Sequence, residues 1–360
     1  MTNDLKTYDL VVMGGGPAGV IAATEASRFG KSVALVDSHQ EIGGAGINTG
    51  TVPSKTLRET ALALSGLKSR NLYGVDLSLR REVTVADFLG HEERVKDAFH
   101  ASITQRLQVL KATTYCGTSS FLDAHTIQVN LGSEDGEKDP CALGGGVRLE
   151  LFSGAALRGD AVLVAAGRQS NTAKLGLEKV GVKTGERGII PVNEHFQTNI
   201  ENIYGAGDVI GFPALASTSM EQARRAVRHA LGLGGSPISP LLPNGIYTIP
   251  EVSMVGETEE SLKKKGVAYI VGRANYWENA RGRIIGDQDG FLKLLFRQDD
   301  LKLIGVHVLG DLATEVVHIG LVAMMCNASA NLFVDACLNL PSLGMLYKTA
   351  ALNALQNVPP

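Results

Sequence analysis

The stretch Gly14-Gly15-Gly16-Pro17-Ala18-Gly19 limits the fold more than any other part of this chain. It fits GxGxxG, and its surroundings give it weight. The apolar run Tyr8–Met13 before it reads as a buried parallel strand, Pro17–Phe29 after it as a helix, and Ser32–Asp37 as a second strand, so the first 37 residues make one βαβ unit. Gly14 permits a tight turn, Gly16 lets backbone approach a pyrophosphate, and Gly19 allows close helix–strand packing, with the anion resting on the helix N-terminus. Asp37 ends the second strand, where a carboxylate accepts hydrogen bonds from a ribose. A bare GxGxxG can be an ordinary turn, but strand, helix and carboxylate in register point to a dinucleotide, either FAD or NAD.

At 360 residues the chain has length for two or three domains and needs no disulfide or metal staple. Its 42 glycines exceed the usual ~7% and suit turns and ligand loops in an α/β chain. With 34 Lys+Arg against 37 Asp+Glu there is no basic stripe for a phosphate backbone, which argues against nucleic acid as a partner. Cys116, Cys141, Cys326 and Cys337 match neither a CxxC pair nor a zinc spacing, so no metal site is expected. No apolar run approaches the ~18 residues of a membrane span, and the first residues lack a signal-peptide pattern, so the expected setting is cytoplasmic and away from membranes.

Further along, Pro53 stands at a plausible first helical position of a helix to about Leu67, and a second helix runs from Val85 to about Leu110. From Thr113 the pattern changes to short β segments, Thr114–Gly117, Ser120–Leu122, Thr126–Leu131, Val147–Phe152 and Ala161–Ala165, with Gly132–Gly146 an exposed loop. A helix follows at Leu215–Leu231, then a linker at Gly232–Pro237. Beyond Pro240, strands at Gly245–Thr248, Val267–Arg273, Phe291–Arg297 and Leu303–Leu309 alternate with helices at Glu257–Lys264, Leu312–Cys326 and Ser342–Gln356. The expected fold class is α/β: a Rossmann-type domain with a β-meander over residues 1–238, in two sequence halves (1–131 and 147–238), plus an α+β domain over 239–360.

Longer motifs narrow the ligand. Gly43-Gly44-Ala45-Gly46-Ile47-Asn48-Thr49-Gly50-Thr51-Val52-Pro53-Ser54-Lys55 resembles the flavin loop of the FAD-dependent pyridine nucleotide-disulfide reductase family, and Thr56-Leu57-Arg58-Glu59 resembles its soluble transhydrogenase branch. Thr198–Gly211, ending Gly205-Ala206-Gly207-Asp208-Val209-Ile210-Gly211, is similar to the family's second FAD motif, and Gly245–Val252, Ile304–His307 and Glu315–Gly320 are similar to its C-terminal interface domain. The resemblance implies FAD as cofactor, nicotinamide nucleotides as substrates, and a homodimer. It places Gly14, Gly16, Pro17, Ala18, Gly19, Asp37, Ser38, Gly43, Gly44, Ala45, Gly50, Thr51, Lys55, Gly117, Ala166, Gly167, Gly207, Asp208 and Ala216 at the cofactor, and Lys55 beside flavin N5 as the catalytic candidate. A surface lysine and a helix N-cap are the ordinary alternatives for Lys55 and Asp208. For His307, His318 and the Tyr276-Trp277 pair, core or interface packing is expected.

Three departures follow. Disulfide reductases carry a CxxxxC pair in the flavin loop, where this chain has Gly46 and Thr51; dithiol exchange needs two thiols. Their acid/base His-Pro and following Glu correspond to Leu340-Pro341 and Met345, which move no protons. The family also inserts a second Rossmann domain for NAD(P), supplying a glutamate to the flavin lysine. Between Lys111 and Arg168 there is no room for its ~100 residues. Val147–Thr172 resembles the exit of that domain, so Ala161–Ala165 is expected to replace the FAD domain's own strand. The functional expectation is an FAD-dependent oxidoreductase of transhydrogenase type, with a non-catalytic or electron-carrying FAD module as the alternative.

Overall fold

The computed structural model describes residues 5–65, 84–132, 147–150, 156–159, 170–235 and 237–358. The chain divides into two compact units, Met1–Thr51 with Lys96–Ile238, and Val52–Val95 with Ser239–Pro360. The end of the first unit falls just after the glycine-rich linker. Val52–Val95, expected in the first domain, groups instead with the C-terminal residues, and within that unit Arg58 bonds to the backbone and carboxylate of the 248–251 segment.

The first unit is built on β1 (Leu10–Met13), α1 (Pro17–Arg28) and β2 (Val33–Asp37). The short helix α2 (Gly44–Ile47) lies inside the glycine-rich loop, where no helix was expected. Next come α3 (Thr51–Ser65), whose first residue alone belongs to this unit, and α4 (Val85–Val109). Pro53 is the third residue of α3 rather than the first, which costs no hydrogen bond because the opening N–H groups have no intrahelical acceptor. β3 (Thr113–Asp123) joins as one strand where two were expected, the polar Thr118–Ser120 stretch being carried through by pairing with β4 (Thr126–Leu131). The sheet order is β1-β2-β3-β4, parallel across the first three and antiparallel at the last pair. Ala23, Ala26, Val33, Leu35, Leu107 and Val227 form the core beneath it.

β5 (Val147–Glu150) and β6 (Ala156–Gly159) pair as a separate two-stranded ribbon; the expected Val147–Phe152 strand is present over Val147–Glu150, and its last two residues lie outside the described residues. The Ala161–Ala165 strand and its substitution lie outside the described residues. Phe121, Leu177, Val180, Val182, Ile190 and Ile203 make a second small core, and α5 (Ala216–Ala230) packs along α1.

The second unit holds β7 (Asn244–Ile246), β8 (Glu251–Gly256), α6 (Glu259–Lys265), β9 (Tyr269–Asn275), α7 (Ala280–Ile285), β10 (Phe291–Arg297), β11 (Leu303–Gly310), α8 (Ala313–Met325), α9 (Ala330–Asp335) and α10 (Met345–Gln356). Its five-stranded antiparallel sheet runs β7-β8-β11-β10-β9. Alternate residues Leu292, Leu294 and Phe296, with Val306 and Val308, bury one face against Val316, Val317, Leu346, Tyr347 and Ala350 of α8 and α10. The expected Glu257–Lys264 helix starts later, at a capping box in which the Thr258 side chain accepts from Ser261 N. Tyr276 is fully buried and donates to the Asp311 carbonyl, as expected of a core residue, while Trp277 is half exposed.

His307 lies on β11 opposite Lys293 and Met254, and its Nδ1 has no hydrogen-bond partner among the described residues. Burial first, and the Lys293 ammonium second, push the ring down to about 4 from 6.5, against the pull of Glu259. The folded state thus resists a proton that the unfolded chain accepts. Stability is complete above pH 6.5 and falls as pH drops toward 4, by about 1–2 kcal/mol once the linkage is discounted for partial exposure. Urea titrations of His307→Leu across this range should show a flatter pH dependence than the parent; equal slopes would remove His307 as the cause.

Candidate functional site

The turn after β1 is set by backbone. Gly14 has φ +101° and donates its N–H to Val36 O at 2.8 Å, and a Cβ on Gly19 would overlap the Gly14 carbonyl oxygen. Only glycine at 19 lets the first turn of α1 lie this close to the end of β1. Gly16 caps α1 without any side chain, Pro17 follows as its first residue, and the N-terminus stays open to an anion. Asp37 fixes both sides of the crevice: Oδ2 accepts from Gly15 N at 2.5 Å and Oδ1 from His39 N at 2.8 Å.

The 43–50 loop packs onto this turn. Gly43 has φ +156° and Gly44 φ +53°; a Cβ on Gly44 would stand 2.7 Å from Gly16 Cα, and one on Gly46 2.6 Å from Pro17 Cγ. Ala45 is exposed beside them, and a Cβ on Gly50 would meet Ala45 O at 2.8 Å. Asn48 anchors the loop through His100 Nε2 at 2.8 Å and the Glu41 carbonyl at 2.9 Å, and the Glu41 carboxylate lies 3.7 Å from His100 Nδ1. The sequence does not single out His100 or Glu41, since no local signal marks a contact between residues so far apart in the chain.

The second motif reaches the same place. Gly207, at φ +86°, is buried where a Cβ would meet Ser219 Oγ at 3.3 Å and Ala18 Cβ at 3.4 Å, and its N–H donates to Gln222 Oε1 at 2.8 Å. The first turns of α1 and α5 therefore converge on Gly207. Neither helix has a side-chain cap, and exposed Asp208 and half-buried Ala216 stand next to them. Asp208 opens a 3-10 turn through Ile210 and is not the cap of α5, which is Leu215. Two open helix N-termini, a side-chain-free glycine floor and carboxylates at both ends fit a dinucleotide pyrophosphate with its flanking hydroxyl groups.

Other candidates fall differently. Ser38 follows β2, its carbonyl 3.9 Å from Cys116 Sγ. Gly117 pairs with Leu131, and a side chain there would overlap Asn130 O, so sheet packing accounts for this glycine. Ala166 and Gly167 lie outside the described residues. Thr51 begins α3 and is exposed. In the second unit, Lys55 lies one turn along α3, its Nζ 4.9 Å from the centroid of the Tyr247 ring and 3.3 Å from Ser54 Oγ. Exposed Leu340 and half-buried Met345 stand where an acid/base pair would be needed.

A strand-turn-helix glycine cradle completed by a distant Gly-Asp turn defines a dinucleotide-binding protein of the two-motif flavoprotein class. The chain matches the FAD dependent oxidoreductase family over residues 9–138, the pyridine nucleotide-disulphide oxidoreductase family over 121–230 and its dimerisation domain over 242–351. Soluble pyridine nucleotide transhydrogenases are similar along their whole length. That of Mycobacterium tuberculosis (strain ATCC 25177 / H37Ra) is 35% identical, covering 98% of each chain, and that of Pseudomonas putida (strain W619) is 30% identical, covering 98% of this chain and 99% of its own. Among solved structures, LpdA from Mycobacterium tuberculosis superposes with a TM-score of 0.81 at 22% identity, over 95% of this chain and 98% of that one. This chain belongs to the pyridine nucleotide-disulfide oxidoreductase family, and its cofactor is FAD. The alignment with the mycobacterial relative runs over 460 residues whereas this chain has 360, so at least 100 aligned positions have no residue here.

The cradle gives a direct test. Gly19→Ala places a methyl on the Gly14 carbonyl and should force α1 off the end of β1. The purified variant is expected to keep its far-ultraviolet circular dichroism but lose copurifying flavin absorbance; a fully flavinated Gly19→Ala protein would contradict the assignment.

Proposed function

We propose that the chain is an FAD-dependent oxidoreductase of transhydrogenase type, exchanging reducing equivalents between nicotinamide nucleotides without a redox disulfide. The observation that carries this reading is the convergence of α1 and α5 on Gly207, which brings two motifs far apart in sequence onto one cradle. Bound FAD supplies reversible two-electron chemistry. The chain's part is positional: Gly14, Gly16, Pro17, Ala18 and Gly19 seat the pyrophosphate, Asp37 and Ser38 the adenosine ribose, and Gly43, Gly44, Ala45, Gly50, Thr51, Gly207, Asp208 and Ala216 the remainder, with Lys55 as the cation facing the flavin. Gly46 and Thr51 leave no thiol for a dithiol relay, and the space at Gly46 is closed by Pro17.

A homodimer is part of the reading. It is supported by the dimerisation-domain match and by Ile319, Val322 and Met325, which are exposed along α8 at helical spacing. Light scattering should give twice the chain mass for the parent and the single-chain mass for Val322→Asp.

The shortfall of at least 100 positions favours a second reading, an FAD module that has lost its nicotinamide site. Anaerobic mixing with NADPH or NADH decides between them. Saturable bleaching of the flavin, reversed by the oxidised nucleotide, is expected of the oxidoreductase. A flavin that stays oxidised with both nucleotides but is bleached by dithionite supports the module and overturns the first reading.

A further inference from the structure

Two cations of α3, Lys55 and Arg58, dock on one short segment, Tyr247–Glu251, and the segment treats them differently. Arg58 takes the polar groups: its Nε donates to the Thr248 carbonyl at 3.0 Å, and its Nη1 lies 2.6 Å from Glu59 Oε1 and 3.2 Å from Glu251 Oε1. Glu251 is buried and also accepts from Thr314 N at 3.1 Å and Thr314 Oγ1 at 2.8 Å, so its carboxylate is fully engaged. Lys55 has no carboxylate at ion-pairing distance among the described residues. It receives the ring face of Tyr247 at 4.9 Å.

We propose that Tyr247 is the positioning residue for Lys55, holding the ammonium group by its π face and leaving the charge un-neutralised. The inference rests on the reading that Lys55 faces the flavin. A carboxylate partner would cancel the local charge, whereas an aromatic face orients it and leaves it at +1. The segment is built to present the ring. A Cβ on Gly245 would lie 3.4 Å from Tyr247 Cε2, and Thr248 Oγ1 donates to the Pro250 carbonyl at 2.7 Å, shaping the turn behind the ring. The guanidinium of Arg58 forks onto a carbonyl and carboxylates, fixing α3 in register so that Lys55, one turn earlier, meets the ring. An uncompensated cation beside a group that gains electron density on reduction raises that group's reduction potential.

The experiment uses the flavin-loaded protein with 13C-ε-labelled lysine, and Lys55→Met assigns the Lys55 signal. In the parent the Lys55 ε-methylene protons are expected upfield of the other lysines through the Tyr247 ring current. Tyr247→Phe should keep that shift and the flavin midpoint potential, while Tyr247→Leu should lose the shift and lower the potential. Tyr247 is 45% exposed, so the leucine variant leaves no buried cavity behind. An unchanged ε-methylene shift in Tyr247→Leu, or an unchanged potential there while Lys55→Met lowers it, overturns the inference. If Lys55→Met itself leaves the potential unmoved, the placement of Lys55 at the flavin fails, and loss of the shift in Tyr247→Leu still establishes the hold.

Discussion

The first unit depends on one contact between backbones, Gly14 O against the bare α-carbon of Gly19. Because residue 19 has no side chain, α1 starts directly over the end of β1, and its open N-terminus points where the chain has already turned away. The other glycines extend the same economy of side chains: Gly44 lies on Gly16, and Gly207 on Ala18. Each replaces a side chain that would fill the cradle, which is why a chain rich in glycine builds well-defined elements here. Asp37 adds a short polar tie, holding Gly15 N at the end of the parallel pair β1 and β2.

Much of this was legible because it is local. A strand, three glycines, a helix and a carboxylate occupy 37 residues, and their spacing implies their geometry. The second unit was less transparent, and β8 shows why. Its buried face carries Glu251, Ser253 and Val255, so two of three inward positions are polar. Alternation by hydrophobicity fails when burial is made tolerable by partners from elsewhere in the chain: Thr314 and Arg58 for Glu251, the Asn244 carbonyl for Ser253. The same limit hid the Asn48–His100–Glu41 anchor, whose members carry no shared period. α2 was hidden for the opposite reason, since a helix in Gly-Ala-Gly-Ile is set by packing against Pro17 rather than by propensity.

Lys55 and Gly117 mark where resemblance and geometry part. Resemblance puts both at a cofactor, but packing alone accounts for Gly117, because strand β4 leaves no room for a side chain. For Lys55 the structure supplies a partner that a motif could not have named. The side chain lies on α3 and the ring in a turn nearly two hundred residues later, and a tyrosine in a turn carries no mark of its cation.

The shortfall against the relatives also has a physical reading. Each region of the chain closes a core of its own: Ala23, Leu35 and Leu107 beneath the parallel strands, Phe121, Val180 and Ile203 in the second small cluster, and Phe296, Val306 and Tyr347 in the second unit. A domain inserted into such a chain brings its own core, so removing it takes away few of the contacts that hold the remainder. The residues of the dinucleotide cradle draw their geometry from β1, α1, β2, α2 and α5, every one of them present. Holding FAD and docking a second nucleotide are therefore separable properties of this architecture. The first is written into backbone contacts among Gly14, Gly16, Gly19, Gly44 and Gly207 that the chain retains.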